Sequence, residues 1–448
     1  MRRRARGVLP PGPPLLAPAQ TLLVWRWPFA FLNGCRSRYG SSFTVNITSH
    51  PPLVFLSDPA DIRAMLAAPA DVLHPGEGAG PIEPLVGEES FMLMEREDHL
   101  CGRRAMLPAF RRRAVHDHAE LVRELAAREV ATWPLGVPFA LHPRLRALTL
   151  DTLLHTIFAG SPDPGEDELR DLRDRLLEML AITASAALPE PLLRYGPDRV
   201  AWARFLRRRA HVDELIYSII EHRKRAGAGR GDLLDRLLAA RDADRSAFSS
   251  RRVRDDMMSI VLAGHETTAS ELAWAFQLLA HNPAVQERLT QELDAGAGDA
   301  YLDATVMEVL RHRPVFLFAI PRAVKRPVEI GGWSYRPPVQ LLGCIYLLHH
   351  DSALFPEPEE FRPERFLGLA PEAWLPWGGG RKRCPGLHLA TLEIATVLRT
   401  VLATTTIRPA QREIERPRWR SVIVTPRAGS RVVLQPRHAA GISATRHL

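Results

Sequence analysis

The stretch WGGGRKRCPG (377–386) sets three glycines and three consecutive cations ahead of a cysteine, then closes with a proline and a fourth glycine. The segment that follows has helical period, with Leu387, Ala390, Ile394, Val397, Leu398 and Val401 on one face. Cys384 therefore stands just before a helix, where free N–H groups and the helix dipole favour an anion. Arg381, Lys382 and Arg383 add positive charge, and both effects stabilise a thiolate. Gly378, Gly379, Gly380 and Gly386 let the backbone approach something flat and large. No G-K-[ST] follows, which excludes a phosphate loop. The loop alone leaves three readings: a basic turn, a nucleophilic cysteine, and a thiolate ligand to haem iron. The last accounts for the charge and the glycines together, and no residue beside Cys384 offers itself as a base for the second.

The chain has 448 residues, 46% of them hydrophobic and 7% aromatic, which is ample for a large core. Net charge is +8, carried by arginine with three lysines, Lys224, Lys325 and Lys382. The cations are dispersed and accompany no recognition motif, so nucleic acid is not the expected partner. The four cysteines, Cys35, Cys101, Cys344 and Cys384, are far apart and form no C-x-x-C pair. That argues against a zinc site or a disulfide framework and fits one reactive cysteine in a reducing cytoplasm. The apolar run near the N-terminus is broken by Arg26 and Pro28, too early for a spanning helix. Residues 1–37 read as a Pro/Arg-rich arm making at most loose peripheral membrane contact, 38–437 as a single domain, and 438–448 as a flexible tail.

Helical periodicity dominates from about 90 to 300, most clearly over 114–130, 166–183, 198–225 and 251–280. Asn282-Pro283 starts another helix, and Asp303 is placed to cap one ending near Arg311. Residues 319–348 are β-like around the turn GGWSYRPP, and SVIVTPRAGSRVVLQP (421–436) reads as a hairpin. The chain is thus mainly α with small β-sheets.

Within the 251–280 helix, AGHETT (263–268) puts a glycine, an acid and two hydroxyls in mid-helix; taken alone it is an ordinary polar face. MEVLRHRP holds Glu308 and Arg311 at i and i+3, a spacing that alone carries nothing. DHLCGRRAMLPAF (98–110) places His99 and Arg103 at i and i+4, which for a lone pair is a helix's polar face.

Together these segments resemble the cytochrome P450 family over about residues 38–435. WGGGRKRCPG resembles its haem-binding loop F-x-x-G-x-R-x-C-x-G, matching at Gly380, Cys384 and Gly386, with Trp377 in place of Phe and Lys382 in place of Arg. The resemblance implies haem b with Cys384 as axial ligand, Trp377 covering the sulfur side, and Lys382 neutralising a propionate as a point charge. AGHETT resembles the oxygen-activating helix, with Gly264 giving oxygen room, Thr267 hydrogen-bonding dioxygen and Glu266 feeding protons inward. FRPERF (361–366) resembles the second arginine element, so that Glu308, Arg311 and Arg365 form a buried structural triad. His99, Arg103 and Arg322 match propionate-binding positions. The haem is expected between the oxygen-activating helix and the helix after the cysteine loop. Four motifs in family order, with Cys384 about 70 residues after the E-x-x-R, make the pattern specific.

The resemblance further implies a cytoplasmic, monomeric monooxygenase that inserts one atom of O2 into an apolar substrate such as a fatty acid, terpenoid, steroid or polyketide. No reductase is fused in the 60-odd residues after Cys384, so electrons come from NAD(P)H through a separate ferredoxin reductase and ferredoxin. Arg104, Arg111, Arg112 and Arg113, with Arg381 and Arg383, are expected to face the ferredoxin. Pocket walls are expected at 74–94, 180–200, 260–268 and 315–320. Three other readings stand beside this one: a peroxide-driven peroxygenase, a non-catalytic haem-binding or sensor protein, and a cysteine hydrolase.

Overall fold

The structure, a computed structural model, describes residues 9–75, 80, 82–94, 96–158, 165–185, 199–227, 231–368, 371–420 and 422–437. Its axis is the 32-residue helix Ser250–His281. The Ser249 side chain accepts the Arg252 N–H and caps it. From Ala269 to Ala280 every residue is buried. At 262–267 burial lapses: Ala263 is exposed and Leu262, Gly264, Glu266 and Thr267 are half-buried. Pro283 opens the next helix, Pro283–Ala295, which stops at left-handed Gly296. Helix Ala300–His312 begins before Asp303. Glu292 accepts from the Tyr301 and Leu302 amides, so Asp303 sits inside the first turn instead of capping it. The 114–130 segment is two helices, Arg112–Asp117 and Ala119–Val130, separated at His118. The other long helices are His142–Phe158, Glu166–Ser185 and Arg199–Ala226.

The strands are β1 (Ser42–Val45), β2 (Leu53–Leu56), β3 (Leu73–His74), β4 (Phe139–Ala140), β5 (Arg322–Val324), β6 (Val328–Ile330), β7 (Trp333–Tyr335), β8 (Gln340–Gly343), β9 (Thr405–Pro409), β10 (Pro417–Arg420), β11 (Ile423–Pro426) and β12 (Arg431–Pro436). One sheet has the order β1-β2-β8-β5-β3, with β2 and β8 parallel. The 421–436 segment is not a hairpin. β11 pairs with β10, and β12 pairs with β9 and β4. Glu415 is the reason: its carboxylate accepts from the Ala428, Ser430 and Arg431 amides, which turns the chain into a different sheet.

Three apolar cores are present among the described residues; one includes Val54, Leu341 and Phe355, and the other two divide along the long helix. One surrounds the 269–280 half of the long helix and includes Trp274, Leu398 and Val401. The other surrounds its 253–261 half and includes Leu153, Phe205 and Leu389. The cores part at residues 262–267 of the long helix and at 384–388, where Cys384 to His388 are half-buried. Helix Leu387–Thr404, which leads away from Cys384, has the length and hydropathy of a membrane span. Its Leu389, Ile394, Val397, Leu398 and Val401 are instead core residues.

The segment set apart as an arm is, from residue 9 on, part of the body. Helices Ala17–Arg26 and Pro28–Tyr39 dock through Asn33 on Tyr346, 3.0 Å, and Arg36 on Asp351, 2.8 Å. The tail, 438–448, lies outside the described residues, as do 186–198 of the expected pocket wall.

Candidate active site

The cysteine loop is closed by its own backbone. The Cys384 N–H donates to the Trp377 carbonyl at 3.0 Å, and the Arg383 N–H to that of Gly380 at 3.2 Å. Gly378 and Gly380 have φ of +62° and +64°, which other residues adopt at a cost. A Cβ on Gly379 would meet Leu66 Cδ1 at 2.8 Å, and one on Gly380 the Leu66 carbonyl at 2.5 Å. These glycines therefore answer to the turn and to helix Pro59–Ala67 pressed beneath it. Gly378 and Gly386 both have open space where a Cβ would be, but Gly378 is also held at positive φ by the turn. The expectation that all four make room for a flat group narrows to Gly378 and Gly386.

Burial raises the Cys384 thiol above its ordinary pKa, outweighing the Gly386 amide and the charges of Arg103 and Arg383. The basic surroundings do lower the cost of a thiolate, as the sequence suggests, but desolvation wins. A metal ion is the charge that would invert this balance. An unassisted nucleophile is disfavoured by the same fact. Among the described residues no cluster of three or more His, Cys, Asp or Glu could hold a metal, which leaves a single-thiolate site.

On the long helix, Thr267 Oγ1 donates to the Ala263 carbonyl at 2.6 Å. Its proton is committed to the helix, and the oxygen presents acceptor lone pairs to the exposed side. A Cβ on Gly264 would strike Leu153 Cδ2 at 2.9 Å. Gly264 is thus required by close packing against helix His142–Phe158, besides any space it leaves for oxygen. Glu266 stands about 100° around the helix from Thr267 and turns to a cluster of basic residues. Arg146 Nε lies 2.5 Å and Arg420 Nε 2.6 Å from its carboxylate, with His142 Nε2 at 3.4 Å and His265 Nε2 at 3.6 Å. Burial pushes its pKa up, but Arg146, His142, His265 and Arg420 more than reverse that, so the pKa lies below the ordinary value. No hydrogen bond joins Glu266 to Thr267 among the described residues. Arg146, Arg420 and His142 were not legible in sequence, because each lies more than 100 positions from Glu266 and no motif marks it.

A basic rim flanks the gap. Lys382 Nζ donates to the Met94 and Met92 carbonyls at 2.9 and 3.2 Å and stands 3.2 Å from His99 Nδ1. His99 is buried, its Nδ1 is 2.8 Å from the Phe91 carbonyl, and its Nε2 has no partner. Burial, then the Lys382 charge, lowers its pKa to about 4. Arg103, one turn on, is half-buried, and its guanidinium acts electrostatically on Cys384. Arg322 is buried on β5. The structure brings His99, Arg103 and Lys382 to one place beside Cys384.

Glu308 and Arg311, both fully buried, form a two-pronged pair at 2.7 and 2.8 Å. Arg365 Nε lies 3.5 Å from Glu308, and the Arg362 amide donates to the same carboxylate at 2.9 Å. Arg311 also donates to the carbonyls of His349, 2.9 Å, and Glu360, 3.2 Å. The cluster fastens the 349–366 segment to helix Ala300–His312.

The donor set fits a haem: one thiol, an open face at Gly386, a buried imidazole nitrogen without a partner, and guanidinium and ammonium groups at the rim for carboxylates. Fold and site together define a haem-thiolate oxygenase. The family model of Cytochrome P450 matches residues 10–433, and the chain belongs to that family. It is 36% identical to cytochrome P450 135B1 of Mycobacterium tuberculosis over 98% of this chain and 93% of that one. It is 35% identical to cytochrome P450 137 of the same organism, over 89% and 84%. Its fold matches that of the retinoic-acid-bound cyanobacterial CYP120A1 with a TM-score of 0.83, at 23% identity over 96% of this chain and 100% of that one. The chain is a cytochrome P450 monooxygenase.

Proposed function

We propose that the chain oxygenates an apolar organic molecule, a fatty acid, terpenoid, steroid or polyketide, with electrons drawn from NAD(P)H through a separate ferredoxin reductase and ferredoxin. The observation that carries this reading is the half-open wall at Leu262, Ala263, Gly264 and Thr267, where the long helix passes between two apolar cores. Haem b bound through Cys384 would supply the oxygen activation. His99 Nε2, Arg103, Lys382 and Arg322 would hold its propionates. Trp377 would shield the Cys384 sulfur, and Gly380 and Gly386 shape the loop around it.

Thr267 accepts a hydrogen bond in the cavity, since its own proton is taken by Ala263. Glu266, kept as a carboxylate by Arg146 and Arg420, is the proton-handling group: it must first take up a proton and then leave Arg146 or use water to pass it toward Thr267. Leu262 and Ala263 desolvate and orient the substrate. The retained Glu266-Thr267 pair favours dioxygen over a peroxide-driven reaction.

Arg111, Arg112, Arg113, Arg381 and Arg383 are exposed, and Arg112 and Arg383 both act on His388 at the start of the helix after Cys384. This basic face suits an acidic ferredoxin. Turnover with a ferredoxin should slow as salt rises and on charge reversal at Arg111, Arg112 and Arg113; indifference to both would refute the docking face. Spin-state titration with the four substrate classes tests the substrate assignment: a shift with a charged, sugar-like ligand and none with apolar ones would overturn it.

A further inference from the structure

Arg252, Asp255, Asp256 and Ser259, buried in the early turns of the long helix, all turn to one segment, 87–94. Asp255 accepts the Glu89 amide at 3.0 Å, and a Cβ on Gly87 would overlap its carboxylate. Ser259 Oγ lies 2.6 Å from Ser90 Oγ. Asp256 Oδ1 accepts the Phe91 amide at 2.7 Å, and its Oδ2 lies 3.1 Å from Arg252 Nε. The Arg252 guanidinium also donates to the Met94 sulfur and, at 3.1 Å, to the Asp98 carbonyl, and it faces the Phe248 ring at 4.7 Å. Helix Arg96–Met106 crosses this cluster at Gly102, where a Cβ would meet Phe91 Cβ at 2.8 Å and Arg252 Nη2 at 2.9 Å.

The 87–94 segment is neither helix nor strand. It nevertheless carries the three carbonyls that fix the basic rim: Phe91 on His99, and Met92 and Met94 on Lys382. Ser90 is its pivot. Its Oγ accepts the Met92 amide at 3.1 Å, and its carbonyl accepts the Leu93 and Met94 amides at 3.0 and 3.1 Å. A buried ion pair such as Arg252–Asp256 contributes little net stability, because desolvation offsets the attraction. What the pair fixes here is geometry: the position of a turn whose other side holds His99 and Lys382.

We propose that Asp256, braced by Arg252, is a positioning residue for the haem rim: as a carboxylate it sets the turn that presents the Phe91, Met92 and Met94 carbonyls to His99 and Lys382. The proposal rests on the reading of His99 and Lys382 as propionate partners. Burial raises the Asp256 pKa to about 6, against the opposing pull of Arg252 and the Phe91 amide. Above that pH both oxygens accept, one from Phe91 and one from Arg252. Below it one oxygen carries a proton, and Arg252 loses its counter-charge. The charged and titratable groups around Asp256 are Arg252 and Asp255 on its own helix, Asp98 and His99 on helix Arg96–Met106, Glu89 on the turn, and Asp242, 3.5 Å from Arg252. The rim is thus held at neutral pH and loosens as pH falls through about 6.

The test is haem transfer from the haem-loaded protein to apomyoglobin, followed between about pH 5 and about pH 8. Release from the parent is expected to quicken about tenfold as pH falls through the Asp256 titration. Asp256→Asn should release at the fast rate throughout, without the step, and Asp256→Glu, which restores a carboxylate, should restore it. Parallel profiles for parent and Asp256→Asn would overturn the proposal. If Asp256→Asn does not fold with Arg252 left unpaired, Arg252→Met/Asp256→Asn removes both charges and should show the same flat profile. Asp242→Asn should keep the step; a step lost there and kept in Asp256→Asn would move the role to Asp242. His99→Phe separates the proposal from the reading beneath it. If His99→Phe releases haem no faster than the parent, the rim reading itself fails; if it releases haem faster while Asp256→Asn keeps the step, only the role of Asp256 falls.

Discussion

Lys382 places its ammonium 3.2 Å from Nδ1 of His99, while the Phe91 carbonyl lies 2.8 Å from the same nitrogen. The ammonium can only donate, and the carbonyl can only accept. A neutral imidazole satisfies one of them at a time. When Nδ1 accepts from Lys382, the ring proton is on Nε2, the atom without a partner, and His99 can donate to an anion. Lys382 thus has two tasks: its own charge at the rim and the tautomer of its neighbour.

Replacing Lys382 with Met should therefore loosen haem more than the loss of one charge would. An expected effect is about tenfold faster haem release, the order of one charge-assisted hydrogen bond. Lys382→Arg should stay within about threefold of the parent, since it keeps the donors. Haem transfer to an acceptor protein measures both. Equal release rates for parent and Lys382→Met would remove Lys382 from the propionate site.

Glu308→Gln should destabilise the fold by about 3–5 kcal/mol, because Arg311 would be left buried without its counter-charge. Denaturant unfolding of the haem-loaded protein reads this directly. A loss under about 1 kcal/mol would show the pair to be solvated, contrary to its burial.

Glu266 and Thr267 are neighbours in sequence with different energetic settings. Glu266→Gln leaves Arg146 and Arg420 facing an amide and should cost roughly 3 kcal/mol of stability. Thr267→Ala removes an exposed-side hydroxyl and should cost about 1 kcal/mol or less, yet release reducing equivalents as peroxide. Stability curves and the ratio of NADPH consumed to product separate the two. If Thr267→Ala couples as well as the parent, Thr267 is not on the proton path.

His350 is half-buried beside Arg311 and Arg313, and loss of solvation, followed by the Arg311 charge, lowers its pKa to about 3. The folded state keeps it neutral while the unfolded chain takes up a proton near pH 6.5. Its contribution is complete above pH 6.5 and is lost as pH falls toward about 3. His350→Gln should flatten stability against pH by about 1.4 kcal/mol per pH unit across that window. Parallel pH profiles for parent and variant would contradict the assignment.

What the sequence made legible was local. The helical period of 251–280 and the turn chemistry of Asn282-Pro283 depend on neighbours within a turn or two, and each stands in the structure where expected. What it hid was set by distant partners. The 421–436 strands separate because Glu415 takes the turn amides, and Asp303 is not a cap because Glu292 does that work. The glycines of the cysteine loop yield to Leu66, more than 300 residues earlier in the chain. Glu266 was legible as an acid in a motif, but its two arginines were not, and they hold it as a carboxylate that must take up a proton before it can pass one on.

The central claim is that Cys384 is the axial thiolate of a bound haem. The carbon monoxide difference spectrum of reduced Cys384→Ser tests it most directly. The account predicts that the band characteristic of thiolate-ligated haem, present in the parent, is abolished in the variant; an unchanged band would contradict it.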